Sequence, residues 1–127
     1  MQTLRSLLRL VLACLSLISI PTILAGPTDN IPQSLNVKGG FVVHLGCGDG
    51  TLTLTLRPNS RFQVHGLDAD PAIVSKARAT VRRAGVYGPV SVDQLAGNRL
   101  PYVDGMVNLL VAENLGDVPM TEVTRVL

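Results

Sequence analysis

The chain reads as an α/β protein, a three-layer sandwich around a parallel sheet of strand order 3-2-1-4. Three observations lead there. Strand-like apolar runs alternate with helical stretches from residue 41 onward. The first run, Phe41 to Leu45, lacks a polar-apolar alternation, as expected of a strand covered on both faces. That run then breaks into glycines at alternate positions, Gly46, Gly48 and Gly50. Glycine costs backbone entropy, so its repeated use implies a sharp turn or a close approach of the backbone to something. With right-handed crossovers and the glycine strand in the middle, the order 3-2-1-4 follows.

Each element has its own justification. Gly26 to Gly40 (GPTDNIPQSLNVKGG) is rich in Pro, Gly, Asn and Asp and reads as a leader with one helical turn. After the glycines, Thr51 to Leu56 (TLTLTL) carries conflicting signals. Its alternation favours a strand, but a parallel sheet needs a crossover here, and crossovers are usually helical. The reading is a short helix, stopped by Pro58-Asn59. Arg61 to Leu67 forms the second strand. Asp70-Pro71 places an acid at the N-cap and a proline at the first helical position. Ile73, Val74, Ala77, Val81 and Ala84 then share one face, and Gly85 ends the helix. Pro89 to Val92 is a short third strand, Asn98 to Gly105 a turn-rich loop, and Met106 to Ala112 a fourth, buried strand. A last helix starts near Pro119 and is still running at Leu127.

The 127 residues suffice for one small domain. Residues 1–25 read as a secretory signal peptide. Arg5 and Arg9 precede an apolar run from Leu10 to Leu24, and Ala25 offers a small-residue cleavage site before Gly26. Pro21 interrupts the run, which is short for a membrane span of about 20 residues. The expected location is therefore secreted or periplasmic, membrane-anchored only if uncleaved, with no stable span after cleavage. Arg5 and Arg9 account for the whole excess of 11 basic over 9 acidic residues. The remainder, residues 26–127, is neutral, which argues against nucleic acid as a partner. Lys76, Arg78, Arg82 and Arg83 cluster, but on one helix, where they ease its negative C-terminal end. Cys14 lies in the signal, so Cys47 is alone and no internal disulfide forms. It fills space beneath the glycine loop. No residue grouping calls for a metal.

Ligands in such sheets bind beyond the carboxyl ends of the strands, where the strand order reverses. Asp68 ends the second strand there, Asp93 the third, and Glu113-Asn114 the fourth. An acid about twenty residues past a glycine loop is placed to accept both hydroxyls of a ribose. Asp93 is placed to accept from an exocyclic amine such as that of adenine.

In this order the motifs VVHLGCGDG, VHGLDADPAIVSKAR, LPYVDGMVNLLVAENL and EVTRVL resemble the first half of a class I S-adenosylmethionine-dependent methyltransferase. The resemblance covers Val37 to Leu127 and implies a Rossmann-like fold with S-adenosyl-L-methionine as cofactor. It implies that Gly46, Cys47 and Gly48 border the methionine part, and that Asp68 holds the ribose. Ala69 would lie against adenine, with Asp93 and the Gln94 backbone on the adenine edge. Glu113 and Asn114 are the candidate groups on the acceptor side; the acceptor itself is unreadable. His44 and Asn108 depart from the pattern, standing where the family often carries acids. The family also continues past a segment like EVTRVL into three more strands, so the chain is expected to be truncated before them. The leader and half-domain together are similar to secreted bacterial proteins that run on into a quinoprotein-like β-propeller.

Two other readings stand beside this one. A non-catalytic, methyltransferase-like binding module of a secreted protein would keep the fold without the reaction. An NAD(P)-dependent oxidoreductase would use the same sheet, but its fingerprint is G-x-G-x-x-G beside a pyrophosphate. Here the glycines run G-x-G-x-G, and Thr51 takes the last place.

Overall fold

The computed structural model describes residues 31–127; the signal-peptide and most leader assignments lie outside the described residues. Helix α1 spans Ile31–Ser34, β1 Gly40–Leu45, α2 Thr51–Thr55 and β2 Phe62–Asp68. Helix α3 spans Pro71–Arg83, followed by β3 Val90–Gln94, β4 Leu109–Ala112 and α4 Met120–Val126. The four strands form one sheet in the order β3-β2-β1-β4. Every pairing is parallel, with Leu45 opposite both Leu67 and Ala112, and Asp68 opposite Gln94. This register brings all four carboxyl ends to one edge.

The strands carry apolar side chains to both faces, as an enclosed parallel sheet requires. On one face Val42, Val64, Val90 and Val92 pack with Leu56, Val74, Ala77 and Val81 beneath α2 and α3. On the other, Val43, Leu45 and Leu67 pack with Leu100, Tyr102, Val107 and Val118, and with Val123 and Val126 of α4. The result is the expected three-layer sandwich.

The conflict over TLTLTL resolves as a helix. Thr53 and Leu56, three residues apart, are both fully buried, which a helix allows and an alternating strand does not. In α3, the Asp70 carboxylate accepts the Ala72 N–H at 2.8 Å, with Pro71 at the first helical position. Val74, Ala77 and Val81 are its buried residues, while Ala84 is exposed at the C-cap.

Three boundaries differ from the sequence expectation. The second strand starts at Phe62 and includes Asp68; the third runs from Val90 to Gln94. The fourth is shorter, Leu109–Ala112, and only half-buried. The Val107 N–H goes to the Val126 carbonyl at 2.8 Å, so the preceding residues tie to α4 instead of extending the ladder. Arg78 does not serve the helix terminus. Its Nε donates to the Val92 carbonyl at 2.7 Å and its guanidinium reaches Asp93, covering the outer edge of β3. Arg82 and Arg83 do occupy the last turn of α3.

Candidate functional site

The three glycines turn out to do three different things. Gly46 leaves β1 with φ +75°, and both its N–H and that of Cys47 donate to the Leu67 carbonyl, at 2.7 and 3.1 Å. This turns the chain at the sheet edge. Gly48 has φ +54° with no atom within 4 Å of where a Cβ would stand, so its backbone faces open space. Gly50 has φ +86°, and a Cβ there would lie 3.1 Å from the Ala77 carbonyl oxygen. Gly50 therefore admits α3 against the start of α2, and only Gly46 and Gly48 are left to face a ligand.

Directly beyond the turn lies a cleft of about 200 Å³ lined by Leu45, Gly46, Asp68, Ala69, Leu95 and the 114–118 loop. It sits where β1 parts from β2 on one side and β4 on the other, the reversal point of the sheet. Asp68 is half-buried, and its Oδ1 accepts the Asp70 N–H at 3.0 Å, which fixes the carboxylate. Its Oδ2 has no partner among the described residues. The Leu95 N–H donates to the Asp68 carbonyl at 2.8 Å, and the Gln94 side chain donates to the Ala69 carbonyl at 3.1 Å. These bonds stitch the ends of β2 and β3 together.

The structure thus brings Gly46, Asp68, Ala69 and Asn114 around one cleft. Asn114 Oδ1 accepts the Gly116 N–H at 2.8 Å and shapes the 114–118 loop. Cys47 is buried behind the turn, its Sγ 4.0 Å from the Gly48 carbonyl, so it borders the loop from below. Gln94 is exposed at the end of β3, and Glu113 is exposed past β4. Asp93 is held from two sides. Its Oδ1 takes the Arg78 guanidinium at 2.6 Å and its Oδ2 takes His65 Nε2 at 2.9 Å. Burial pushes this carboxyl up, but the hydrogen bonds from His65 and Arg78 outweigh it and hold it below its ordinary range.

The two departures from the family pattern separate. Asn108 lies just before β4, at the opposite end of the strands from the cleft. There its Oδ1 accepts the Phe41 N–H at 2.8 Å and fills the space a Cβ on Gly40 would need. It aligns β1 with β4 and leaves the cleft untouched. His44 is buried on β1, with Nδ1 2.8 Å from Thr53 Oγ1. Burial lowers its pKa, against the opposing pull of the Glu113 and Asp68 carboxylates. It is a packed, hydrogen-bonded histidine beside the loop.

Two contributors were missed by sequence reasoning. Gly66 lies opposite His44 in β2, and a Cβ on it would stand 3.0 Å from Cys47 Cβ and 3.3 Å from Thr53 Cγ2. A glycine inside a strand was the available signal. Leu95 and residues 116–118, which wall the cleft, carry no motif and are visible only once the chain is folded.

Residues 42–127 match the methyltransferase domain family. The chain belongs to that family. Its parallel sheet order β3-β2-β1-β4 is that of the class I S-adenosylmethionine-dependent methyltransferases. It is 33% identical over 81 residues to a ribosomal protein L11 methyltransferase of Anoxybacillus flavithermus (strain DSM 21510 / WK1), a match covering 64% of this chain and 25% of that protein. Among solved structures, the [4+2]-cyclase SpnF superposes with a TM-score of 0.67 at 23% identity, covering 79% of this chain and 39% of that one. A geranyl diphosphate methyltransferase in complex with SAM superposes with a TM-score of 0.60 at 22% identity, covering 70% and 38%. The chain spans about a quarter of the length of the curated relatives it matches. A cyclase among the neighbours shows that this fold by itself does not fix the reaction.

Proposed function

We propose that this chain is the cofactor-binding portion of an S-adenosylmethionine-dependent methyltransferase. The observation that carries the proposal is the placement of Asp68. Its carboxylate is fixed through one oxygen by the Asp70 N–H, and it lines the same cleft as Gly46 and Ala69. A fixed acceptor beside an apolar wall of Leu45 and Leu95 suits a ribose diol with a base next to it. Gly48, with open space over its backbone, leaves room for the methionyl part.

Bound there, the cofactor would supply an electrophilic methyl group on a sulfonium for transfer to a lone pair on the acceptor. The chain's own contribution is positioning, which requires no protein nucleophile. Asp68 would orient the ribose and Ala69 would lie against the base. Asp93, held ionised by Arg78 and His65, keeps acceptor capacity for an exocyclic amine. Glu113 and Asn114 flank the acceptor side, and Asn114 reaches the cleft. We further read residues 1–25 as an export signal cleaved before Gly26, which N-terminal sequencing of exported protein checks.

Equilibrium titration with S-adenosylhomocysteine and with NAD tests the proposal. Saturable binding of the first and none of the second is expected. Undetectable binding of S-adenosylhomocysteine would favour a module that keeps the fold without the cofactor.

A further inference from the structure

A second cavity among the described residues lies at the wrong end for the cofactor. It is an open groove of about 610 Å³ at the amino-terminal end of the sheet, where Gly40 and Phe62 begin β1 and β2 and Pro89 precedes β3. Arg57, Ser60, Arg61 and Gln63 line it, over a floor that includes Phe41 and Phe62. No carboxylate is among its lining residues.

The two guanidinium groups are placed differently. Arg57 is half-buried, and its Nε donates to the Phe62 carbonyl at 3.1 Å. That bond anchors the side chain and leaves its terminal N–H groups with no partner among the described residues. Arg61 is exposed and makes no side-chain hydrogen bond among the described residues. The ion pairs of the described residues engage only His65, Arg78 and Arg125 as bases, so neither Arg57 nor Arg61 has a paired acid. A guanidinium anchored through Nε presents a fork that matches a phosphate or carboxylate in two-point contact.

Charge is also segregated along the strand direction. Asp49, Asp68, Asp70, Asp93, Glu113 and Asp117 lie at or beyond the carboxyl ends of the strands, around the cofactor cleft. Lys38, Arg57, Arg61, Arg82 and Arg83 lie toward the amino ends. The separation is partial, since Arg78 pairs with Asp93 at the carboxyl edge and Asp104, before β4, pairs with Arg125. A basic excess nevertheless remains around this groove and favours an anion there.

We infer that this cavity is an anion-binding site for a small phosphate-bearing ligand, held by Arg57 and Arg61 with Ser60 and Gln63 as further donors. The cavity falls within the size range of small-molecule sites, roughly 300–1,000 Å³. The inference does not rest on the cofactor reading, because the two sites occupy opposite ends of the sheet.

The test is isothermal titration of the full chain with inorganic pyrophosphate, beside vesicles of phosphatidylcholine with and without phosphatidylglycerol. Saturable pyrophosphate binding that weakens with added salt is expected. Arg61→Gln, an exposed change, should weaken it about tenfold while leaving the thermal midpoint and S-adenosylhomocysteine affinity unchanged. Arg57→Lys, which keeps the charge but loses the fork, should also weaken it. Saturating S-adenosylhomocysteine should leave pyrophosphate affinity unaltered. Absence of pyrophosphate binding, an Arg61→Gln variant that binds like the parent, or displacement by S-adenosylhomocysteine would overturn the inference. So would association with anionic vesicles alone, which would make this end a membrane-surface contact.

Discussion

The sequence reads Cys47 as a space-filler beneath the loop, and its surroundings explain why it is no nucleophile. Burial pushes its thiol up to about 11, with the Asp68 charge adding to the effect, and the residue is 3% exposed. A thiolate is the reactive form, so in a Cys14→Ser chain Cys47 should resist thiol labelling at about pH 8 when folded and label fully once unfolded. Rapid labelling of Cys47 in that folded chain by 5,5′-dithiobis(2-nitrobenzoate) would contradict this. His44 is legible as a departure from the family pattern, but its partner Thr53 is not. That pairing depends on α2 folding back over β1, which no local pattern announces. Asn108 shows the converse. It stands in the motif that ends at Glu113 and Asn114, yet the register of β4 puts it at the far end of the strands from the cleft. Motif position gives sequence distance, and only strand direction converts it into place.

The glycine turn and the helices it serves make a second set of predictions. Gly48→Ala meets open space and adds only the left-handed backbone cost, roughly 1–2 kcal/mol. Gly50→Ala adds a clash with the Ala77 backbone of α3, a further cost of about 1–3 kcal/mol. Denaturant titration should rank Gly50→Ala as the more destabilised; equal losses would show that α3 does not press on Gly50. At the other face, α4 is tied to the loop before β4. Glu122 accepts the Leu100 N–H at 2.9 Å and pairs with Arg125, which also donates to the Tyr102 and Leu100 carbonyls and to Asp104. The Arg125 hydrogen bond, helped by that of Leu100, pulls the Glu122 pKa from 4.5 down to about 2. A depressed carboxyl stabilises the fold above its ordinary pKa and loses that contribution as the pH falls. Thermal midpoints should therefore drop between about pH 4.5 and pH 2 in a way that Glu122→Gln flattens. An unchanged slope in the variant would remove this tie from the acid response. Most element types are legible because Asp70-Pro71, Gly85 and the buried strand patterns are local signals, whereas the helix over TLTLTL follows only from the need for a crossover. The start of β4 is not legible, because the Val107 N–H is claimed by Val126, a partner 19 residues away that only the folded arrangement supplies.

Across the whole molecule, the parallel register fixes what the two ends of the sheet can do. Acids and the glycine turn converge on the carboxyl edge, and arginines with no ion-pair partner among the described residues on the amino edge, although residues 26–127 are neutral in total. Sequence reasoning found the first end because its residues sit in recognisable order. It missed the second because Arg57 and Arg61 carry no motif, and net charge averages over position. No helix among the described residues is long and apolar enough to cross a membrane. The proposed cofactor function stands or falls on Asp68. Calorimetric titration with S-adenosylhomocysteine should compare the parent with Asp68→Asn, Asp68→Ala and Asp70→Ala. Asp68→Asn keeps an acceptor for the Asp70 N–H while removing the charge, so it separates ligand contact from loop structure. Charge-assisted hydrogen bonds to a ribose are worth about 1.5–3 kcal/mol each, so both Asp68 variants should lose at least about tenfold in affinity. Asp70→Ala should cost about 1 kcal/mol of stability through the lost N-cap and leave affinity largely intact. Equal, small effects from all three variants would remove Asp68 from the site and contradict the cofactor reading.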